Sequence, residues 1–122
     1  PSNVGKQQQR LTQFSSIAKR CQAPLVFTNQ VGGNDDIVFD GASFILDKTG
    51  KVLGTLPSFS ESVGTFTFDE GNIHSLNHFQ HTALLPEMAL CYQQIILGLQ
   101  DYIQKCGFQQ VALGVSGGLD SA

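Results

Sequence analysis

Val111-Ala112-Leu113-Gly114-Val115-Ser116-Gly117-Gly118-Leu119-Asp120-Ser121 joins an apolar run to a glycine-rich turn that carries hydroxyl and carboxylate side chains. Such a run is typical of a strand that is buried on both faces in a parallel sheet. Gly117 and Gly118 can take positive φ and bring backbone N–H groups close to an anion. A helix beginning near Leu119 would point its positive end at the same anion. The stretch therefore predicts a strand–loop–helix junction that binds phosphate at the carboxyl end of a strand, where open α/β sheets bind their ligands.

Three polar side chains of this loop have predicted roles. Ser116 and Ser121 add hydroxyl donors, and Asp120 would cap the helix or hold a magnesium ion that offsets phosphate charge. The alternative is a plain strand–turn–helix junction, because Gly-Gly pairs are common in turns. The strand context, the two serines and the aspartate together favour the anion site. It is not a Walker loop, since no Gly-Lys-Ser/Thr follows the glycines.

Upstream of the loop, the pattern predicts a helix that starts at Pro86 and is capped by Gly107. Its apolar residues recur at three- and four-residue steps and form one stripe. The stripe consists of Tyr92, Ile95, Ile96, Leu99, Tyr102, Ile103 and Cys106. Residues 69–82 are polar and aperiodic, so we interpret them as a linker.

The first half of the chain alternates a helix with short strands. Periodicity predicts a helix over residues 6–22, ended by Pro24. The predicted strands are residues 25–28, 42–46, 51–56 and 65–68, with a hairpin turn at 47–50. Residues 29–36, which contain Gly32-Gly33, are predicted to be a polar loop. Phe39 and Phe44 are expected to be core residues.

Composition excludes several classes of protein. The chain has 122 residues, of which 41% are apolar and 14% charged, with a formal charge of −3. The absence of a polybasic run argues against nucleic acid and anionic membranes as partners. No apolar stretch approaches the roughly 20 residues of a membrane helix. The first residues resemble neither an initiator methionine nor a signal peptide, so we expect an internal piece of a longer polypeptide.

The cysteines and histidines are predicted to have structural rather than chemical roles. Cys21, Cys91 and Cys106 are odd in number and lack CxxC spacing, which argues against disulfides and zinc and favours a cytoplasmic protein. Each lies at an apolar helix position, so we expect small hydrophobes rather than nucleophiles. The three histidines show a spacing that would suit a metal on a helix. They are His74, His78 and His81, and we predict no metal because they lie in the linker without cysteine or carboxylate partners.

Residues 116–121 also match the SGGxDS signature and so resemble the N-type ATP pyrophosphatases, which include NAD, GMP and asparagine synthetases. These enzymes cleave ATP between the α- and β-phosphates, adenylate a carbonyl oxygen and let ammonia displace AMP. The resemblance implies that ATP and Mg²⁺ are the cofactors, with Mg²⁺ at Asp120. The implied ATP-binding residues are Gly114, Val115, Ser116, Gly117, Gly118, Leu119, Asp120 and Ser121.

The flanking sequence distinguishes among these synthetases. Residues 92–103, 106–108 and 111–122 are similar to the entry helix and first strand of NAD synthetase. Residues 29–36 and 38–43 resemble the nitrilase-type glutaminase domain of glutamine-dependent NAD synthetases, and they occur in the same order as in that family. GMP and asparagine synthetases use unrelated glutaminase domains.

The resemblance implies an α/β fold in two parts. Residues 1–72 would be the C-terminal part of a nitrilase-like α-β-β-α sandwich. Residues 73–85 would be the linker, and residues 86–122 would begin a doubly wound parallel-sheet domain of the adenine nucleotide alpha hydrolase type.

The family hydrolyses glutamine at a Cys-Glu-Lys site and passes the ammonia to a second site, where ATP-adenylated deamido-NAD becomes NAD. The resemblance implies that the glutaminase Glu, Lys and Cys lie upstream of Pro1, so the chain is expected to hold no catalytic residue and to be inactive alone. Lys6, preceded by Gly5, matches a basic position that touches bound glutamine. A cation there would pair with the α-carboxylate of glutamine. The alternative is a solvated lysine at a helix start.

Other expectations follow from the same resemblance. Asp35 and Asp36 are either solvated or help to shape the glutaminase pocket or the contact between domains. The partners would be glutamine, deamido-NAD and ATP, in a homo-oligomer. Two further interpretations stay open: a catalytically silent fragment retained for oligomer contacts, and another ATP pyrophosphatase with an unusual N-terminal domain.

Overall fold

The structure, a computed structural model, describes residues 1–80 and 84–121. Within these ranges the chain forms two α-helices, seven strands and one 3-10 turn. In chain order they are α1 Lys6–Cys21, β1 Leu25–Phe27, β2 Val31–Asn34, β3 Ile37–Asp40, β4 Phe44–Leu46, β5 Val52–Thr55, β6 Thr65–Asp69, β7 Asn72–Asn77, α2 Glu87–Lys105 and the 3-10 turn Leu119–Ser121. The strands pair into three small antiparallel sheets, β1-β4-β5, β2-β3 and β6-β7.

The core lies where α1 packs on the β1-β4-β5 sheet. Ala18 of α1 and all of central strand β4 are buried, with Ile45 and Leu46 fully so. The ring of Phe27 lies 4.9 Å from those of both Phe14 and Phe44, measured between centroids. Aromatic contacts of this kind add to the free energy gained from burying apolar surface. Phe44 is thus a core residue as predicted, whereas Phe39 is half-buried in β3 and outside this cluster.

The predicted turn between β4 and β5 is built around Asp47. Its Oδ1 accepts hydrogen bonds from the backbone N–H groups of Thr49 and Lys51 at 2.8 and 2.9 Å and from the Thr49 hydroxyl at 2.6 Å. The hydrogen bond from the Thr49 hydroxyl is the main cause of the lowered pKa of Asp47. Gly50 completes the turn with φ +78°, and its carbonyl accepts a hydrogen bond from Ser15 Oγ of α1 at 2.7 Å. The turn therefore joins the sheet to the helix that covers it.

Two segments differ from the sequence-based expectation. The predicted loop 29–36 contains β2, which pairs with β3 from Val31↔Asp40 to Asn34↔Ile37. The predicted linker 69–82 contains β7, which follows β6 after a turn in which Glu70 and Gly71 have φ +45° and +77°. Two consecutive positive φ values are the signature of a two-residue hairpin turn. Both segments are polar, so their partners in the fold, rather than local apolar alternation, make them strands.

Helix α2 has nearly the predicted bounds, but the strand predicted after it does not form. Residues 111–115 have no strand partner among the described residues, and they are exposed. A parallel strand depends on hydrogen bonds to neighbouring strands, so an apolar run alone does not produce one. The predicted apolar stripe of α2 is also largely exposed, at Tyr92, Ile95, Leu99 and Tyr102. Neither described helix is long and apolar enough to span a membrane.

Candidate functional site

The glycine-rich loop is closed by its two serines. Ser121 Oγ lies 2.8 Å from Ser116 Oγ and accepts a hydrogen bond from the Ser116 backbone N–H at 3.1 Å. Ser116 Oγ in turn accepts from the Gly118 N–H at 3.3 Å. Gly117 has φ +83°, while Gly118, contrary to the expectation for it, is not in the left-handed region. The loop thus curls around the two hydroxyls and needs one left-handed glycine.

This geometry leaves several groups available to an anion. Within residues 84–121, no hydrogen bond engages the N–H of Gly117. The Asp120 side chain is exposed, and a Cβ at Gly117 would meet nothing within 4 Å. The predicted helix after the loop is a single 3-10 turn, Leu119–Ser121, which supplies little dipole. Backbone N–H groups and hydroxyls therefore provide most of the attraction for phosphate.

Lys6 is the first residue of α1 and is half-buried. Its Nζ donates a hydrogen bond to Gln9 Oε1 at 3.3 Å. No hydrogen bond or ion pair among the described residues joins Lys6 to the glycine-rich loop, so these two predicted binding features lie in separate places. The next residue, Gln7, is buried and leads into a polar network.

Asp40 is the centre of this network, which sequence reasoning missed. Its carboxylate is fully buried and accepts hydrogen bonds from Arg10 at 2.5 and 2.7 Å, from Gln7 at 2.8 Å and from Asn29 at 3.0 Å. Arg10 also lies over the ring of Phe27, at 5.6 Å from its centroid. The network fixes the start of α1, and hence Lys6, against the end of β3. The only signal in the sequence is an Asp-Gly pair after an apolar run, which also describes an ordinary turn.

Beside this network lies a cavity of about 140 Å³, bounded by α1, by β5 and by residues 80, 84 and 85. Its polar wall includes Gln7, Arg10 and Ser58, and its apolar wall includes Leu11 and Phe44. Among the described residues, Arg10 Nε is buried without a hydrogen-bond partner. The cavity therefore has one charged end that Asp40 already neutralises.

The other residues that the sequence suggested as possible ligands do not come together in one site. His74 and His78 are exposed, and His81 lies outside the described residues. Over residues 1–80 and 84–121 no three His, Cys, Asp or Glu side chains come together as a metal group. Asp35, with φ +51°, and Asp36 form the exposed β2–β3 turn.

The expectation for the cysteines was wrong at two positions. Cys21 and Cys106 are exposed, and only Cys91 is half-buried. Cys21 is the last residue of α1, and Cys106 is the C-cap of α2.

Comparison with known proteins identifies the two halves. Residues 2–77 match the family model for carbon-nitrogen hydrolases. The chain belongs to the carbon-nitrogen hydrolase family. Residues 91–122 match the NAD synthase model, so one polypeptide joins the two families in the order that the sequence resemblance implied.

Individual relatives carry both halves. The whole chain is 40% identical to a glutamine-dependent NAD(+) synthetase of Synechocystis sp. and 39% identical to one of Acinetobacter baylyi, and it covers 22% of each. A solved structure of the glutamine-dependent NAD+ synthetase from Acinetobacter baumannii, in complex with ADP, superposes with a TM-score of 0.85 at 36% identity. It matches 99% of this chain, which spans 23% of that one. The predicted likeness to these synthetases and the α/β fold class are confirmed.

Proposed function

We propose that this chain is the junction between the glutaminase and the synthetase of a glutamine-dependent NAD synthetase. In this proposal residues 1–72 belong to the glutaminase, residues 73–85 connect the two, and residues 86–122 begin the synthetase. The observation that carries it is the serine-closed loop at residues 116–121, downstream of a carbon-nitrogen hydrolase fold. The relatives that contain both parts are named as glutamine-dependent NAD(+) synthetases.

In the proposed reaction the loop holds the pyrophosphate of ATP. The carboxylate of deamido-NAD attacks the α-phosphorus, and the α–β bond breaks with release of pyrophosphate. Ammonia then attacks the acyl adenylate, and AMP leaves. The Gly117 N–H and the hydroxyls of Ser116 and Ser121 donate hydrogen bonds to the phosphate oxygens as charge develops on the leaving group. To donate to phosphate, the Ser121 hydroxyl gives up its hydrogen bond to the Gly118 carbonyl, and the Ser116 hydroxyl gives up its contact with Ser121.

Asp120 suits a magnesium ion bound together with phosphate. Its carboxylate is exposed beside the loop and forms no ion pair within the described residues. Mg²⁺ characteristically takes one or two protein carboxylates together with substrate phosphates and water, so a single aspartate is sufficient. When bound, the ion would offset the charge of the phosphates. Asp120 would hold and orient it.

Lys6 would contact glutamine in the same proposal. Its half-buried stem at the start of α1 is held in place by the neighbouring Asp40 network. An ammonium group in this position pairs with the α-carboxylate of an amino acid. Lys6→Ala should therefore raise the KM for glutamine and leave ammonia-dependent synthesis unchanged. An unchanged KM for glutamine would contradict this role.

The loop is tested in a full-length synthetase that carries this chain. Ser121→Ala removes the hydroxyl that both closes the loop and faces phosphate, so ammonia-dependent NAD formation should fall by about 10²-fold, as for the loss of one donor to a developing oxyanion. Ser16→Ala on α1, whose hydroxyl donates to the Thr12 carbonyl and, within residues 1–80 and 84–121, has no other hydrogen-bond partner, is the matched control. Equal activity of the two variants would contradict pyrophosphate binding by the loop. Absence of NAD formation from deamido-NAD, ATP and ammonia by the unsubstituted enzyme would contradict the function itself.

A further inference from the structure

The hairpin β2–β3 packs directly on α2, so the two halves of the chain meet there. The approach is closest at a glycine on each side. A Cβ on Gly32 would lie 2.7 Å from Asp101 Oδ2, and one on Gly98 would lie 3.1 Å from Val38 Cγ2. A glycine inside a helix costs about 1 kcal/mol relative to alanine. Gly98 therefore lowers the stability of α2 at a point where the hairpin packs closely on it.

Both polar groups of one hairpin residue are held by the helix. Asp101 Oδ2 accepts a hydrogen bond from the Gly33 N–H at 2.6 Å, and Lys105 Nζ donates to the Gly33 carbonyl. Gly33 lies opposite Val38, one pair beyond the Asn34↔Ile37 pair that closes the turn. In an antiparallel ladder such a pair directs its N–H and C=O groups away from the partner strand. Asp101 and Lys105, four residues apart on one face of α2, thus satisfy the outer edge of β2 with two charge-assisted hydrogen bonds.

The opposite edge of the hairpin holds the segment that contains Lys6. The Val38 carbonyl accepts a hydrogen bond from the Ser2 N–H at 2.6 Å. Two residues further along β3, Asp40 binds Gln7 and Arg10 of α1. The hairpin therefore lies between α2, which binds the outer edge of β2 at Gly33, and residues 2–10, which bind β3 at Val38 and Asp40.

We propose that Asp101 and Lys105 are positioning residues. They lie on the helix that leads into the ATP loop, and by clamping the Gly33 peptide they fix the position of the glutaminase segment that contacts glutamine. The inference rests on the proposed function. It assigns to α2 a role in the glutamine reaction although α2 belongs to the synthetase half. Without the clamp, β2 has an unpaired edge, and the hairpin to which Ser2 and Gln7 are bound is no longer fixed against α2, so Lys6 shifts with it. Binding of glutamine then weakens, whereas the synthetase reaction with free ammonia proceeds as before.

The experiment compares Asp101 variants in a full-length synthetase that carries this chain. Asp101→Leu, which cannot accept the Gly33 hydrogen bond, should raise the KM for glutamine about ten-fold, the order expected for one lost hydrogen bond to a charged group. It should leave the ammonia-dependent kcat/KM within about two-fold of the unsubstituted enzyme. Asp101→Asn keeps an acceptor oxygen and should restore most of the glutamine KM. Gln104→Leu, on an exposed position of the same helix, is the control and should change neither constant.

Lys105→Met provides an independent test, because Lys105 is the exposed last residue of α2 and donates to the Gly33 carbonyl rather than to its N–H. It should raise the KM for glutamine as well, and the double variant should show less than the product of the two single effects, since both residues hold one peptide. Unchanged glutamine KM in Asp101→Leu and Lys105→Met would overturn the inference while leaving the proposed function intact. If these variants lost as much ammonia-dependent activity as glutamine-dependent activity, the inference would also be overturned, since the role would then be purely structural. Failure of the unsubstituted enzyme to use glutamine would instead reject the proposed function.

Discussion

At the scale of single residues, the buried Asp40–Arg10 pair is the one whose disruption should lower the free energy of unfolding most. The Asp40 side chain is fully buried and that of Arg10 is 10% exposed. Removing one member of such a pair costs about 3 to 5 kcal/mol, because the other charge stays buried without its partner. Arg10→Met should therefore lower the free energy of unfolding by about 3 kcal/mol, as measured by urea denaturation.

Arg20→Met is the matched control for that substitution. Arg20 lies on the same helix but is exposed, and it forms no ion pair within the described residues. Its replacement should change stability by less than about 0.5 kcal/mol. Similar denaturation midpoints for the two variants would contradict the importance of the pair.

Asp47 gives a prediction about pH. The hydrogen bond from the Thr49 hydroxyl is the largest cause that lowers its pKa from the ordinary value of 3.8. Because the folded state holds the carboxylate in its charged form, the stabilisation is complete above the unfolded pKa and is lost as the pH falls through the folded pKa. The stability difference between the unsubstituted protein and Asp47→Ala should therefore shrink as the pH is lowered from about 5 to about 2. Urea denaturation at several pH values measures it, and a constant difference would contradict the assignment.

At the scale of elements, two hairpin turns provide a matched pair of glycines. Gly50 and Gly71 have φ of +78° and +77°. A Cβ on Gly50 would lie 2.7 Å from the Ser15 carbonyl oxygen of α1, whereas one on Gly71 would meet nothing within 4 Å. Gly71→Ala should thus cost only the left-handed conformation, about 1 kcal/mol. Gly50→Ala should cost about 2 to 3 kcal/mol, because the turn must also move away from α1.

Thermal or urea denaturation of the two alanine variants measures this difference. Equal losses of stability would show that the β4–β5 turn does not press against α1 as the structure has it. A larger loss for Gly71→Ala would contradict the same point, since a Cβ on Gly71 would meet nothing within 4 Å.

Elements defined by local chemistry were predictable from the sequence. The turn at residues 47–50 has its glycine and aspartate, and α2 has Pro86 and Gly107 at its ends. Strand β2 was missed because Gly32-Gly33 has no strand propensity of its own, and its outer edge is satisfied by Asp101, 68 residues away. Strand β7 was missed because its polar residues resemble a linker, although the Glu70-Gly71 turn marks the hairpin. Residues 111–115 show the reverse error, an apolar run without a strand partner among the described residues.

The candidate sites also divide into one that the local sequence predicts and one that depends on distant partners. The glycine-rich loop is a contiguous motif, so its residues could be named from the sequence. Gly117 has the predicted left-handed conformation, whereas Gly118 does not. The Asp40 network joins residues from three separate segments. No local pattern of residues reveals which arginine reaches which aspartate. The ATP, Mg²⁺ and glutamine roles of residues 114–121 and of Lys6 stay predictions.

At the scale of the whole molecule, α2 has two different faces. Gly98, Asp101 and Lys105 face the β2–β3 hairpin. About a quarter turn around the helix, Ile95 and Leu99 are 70% and 57% exposed, and the apolar residues 111–115 are exposed as well. Large contiguous apolar surfaces on soluble proteins normally mark contacts. The relatives are more than four times as long as this chain, which covers 22% of them.

The exposed stripe predicts how the 122-residue chain behaves when it is produced alone. It should self-associate, with an apparent mass in sedimentation velocity that rises with concentration, because apolar contact between copies removes the stripe from water. The double variant Ile95→Glu/Leu99→Glu should stay close to the monomer mass of 13.2 kDa. Gln93→Glu/Gln100→Glu adds the same charge at exposed polar positions and should still associate. If both double variants become monomeric, charge rather than the stripe controls association. If the unsubstituted chain is monomeric at every concentration, the apolar face of α2 does not bind a second copy, and the homo-oligomer expected for the full-length enzyme must form through other surfaces.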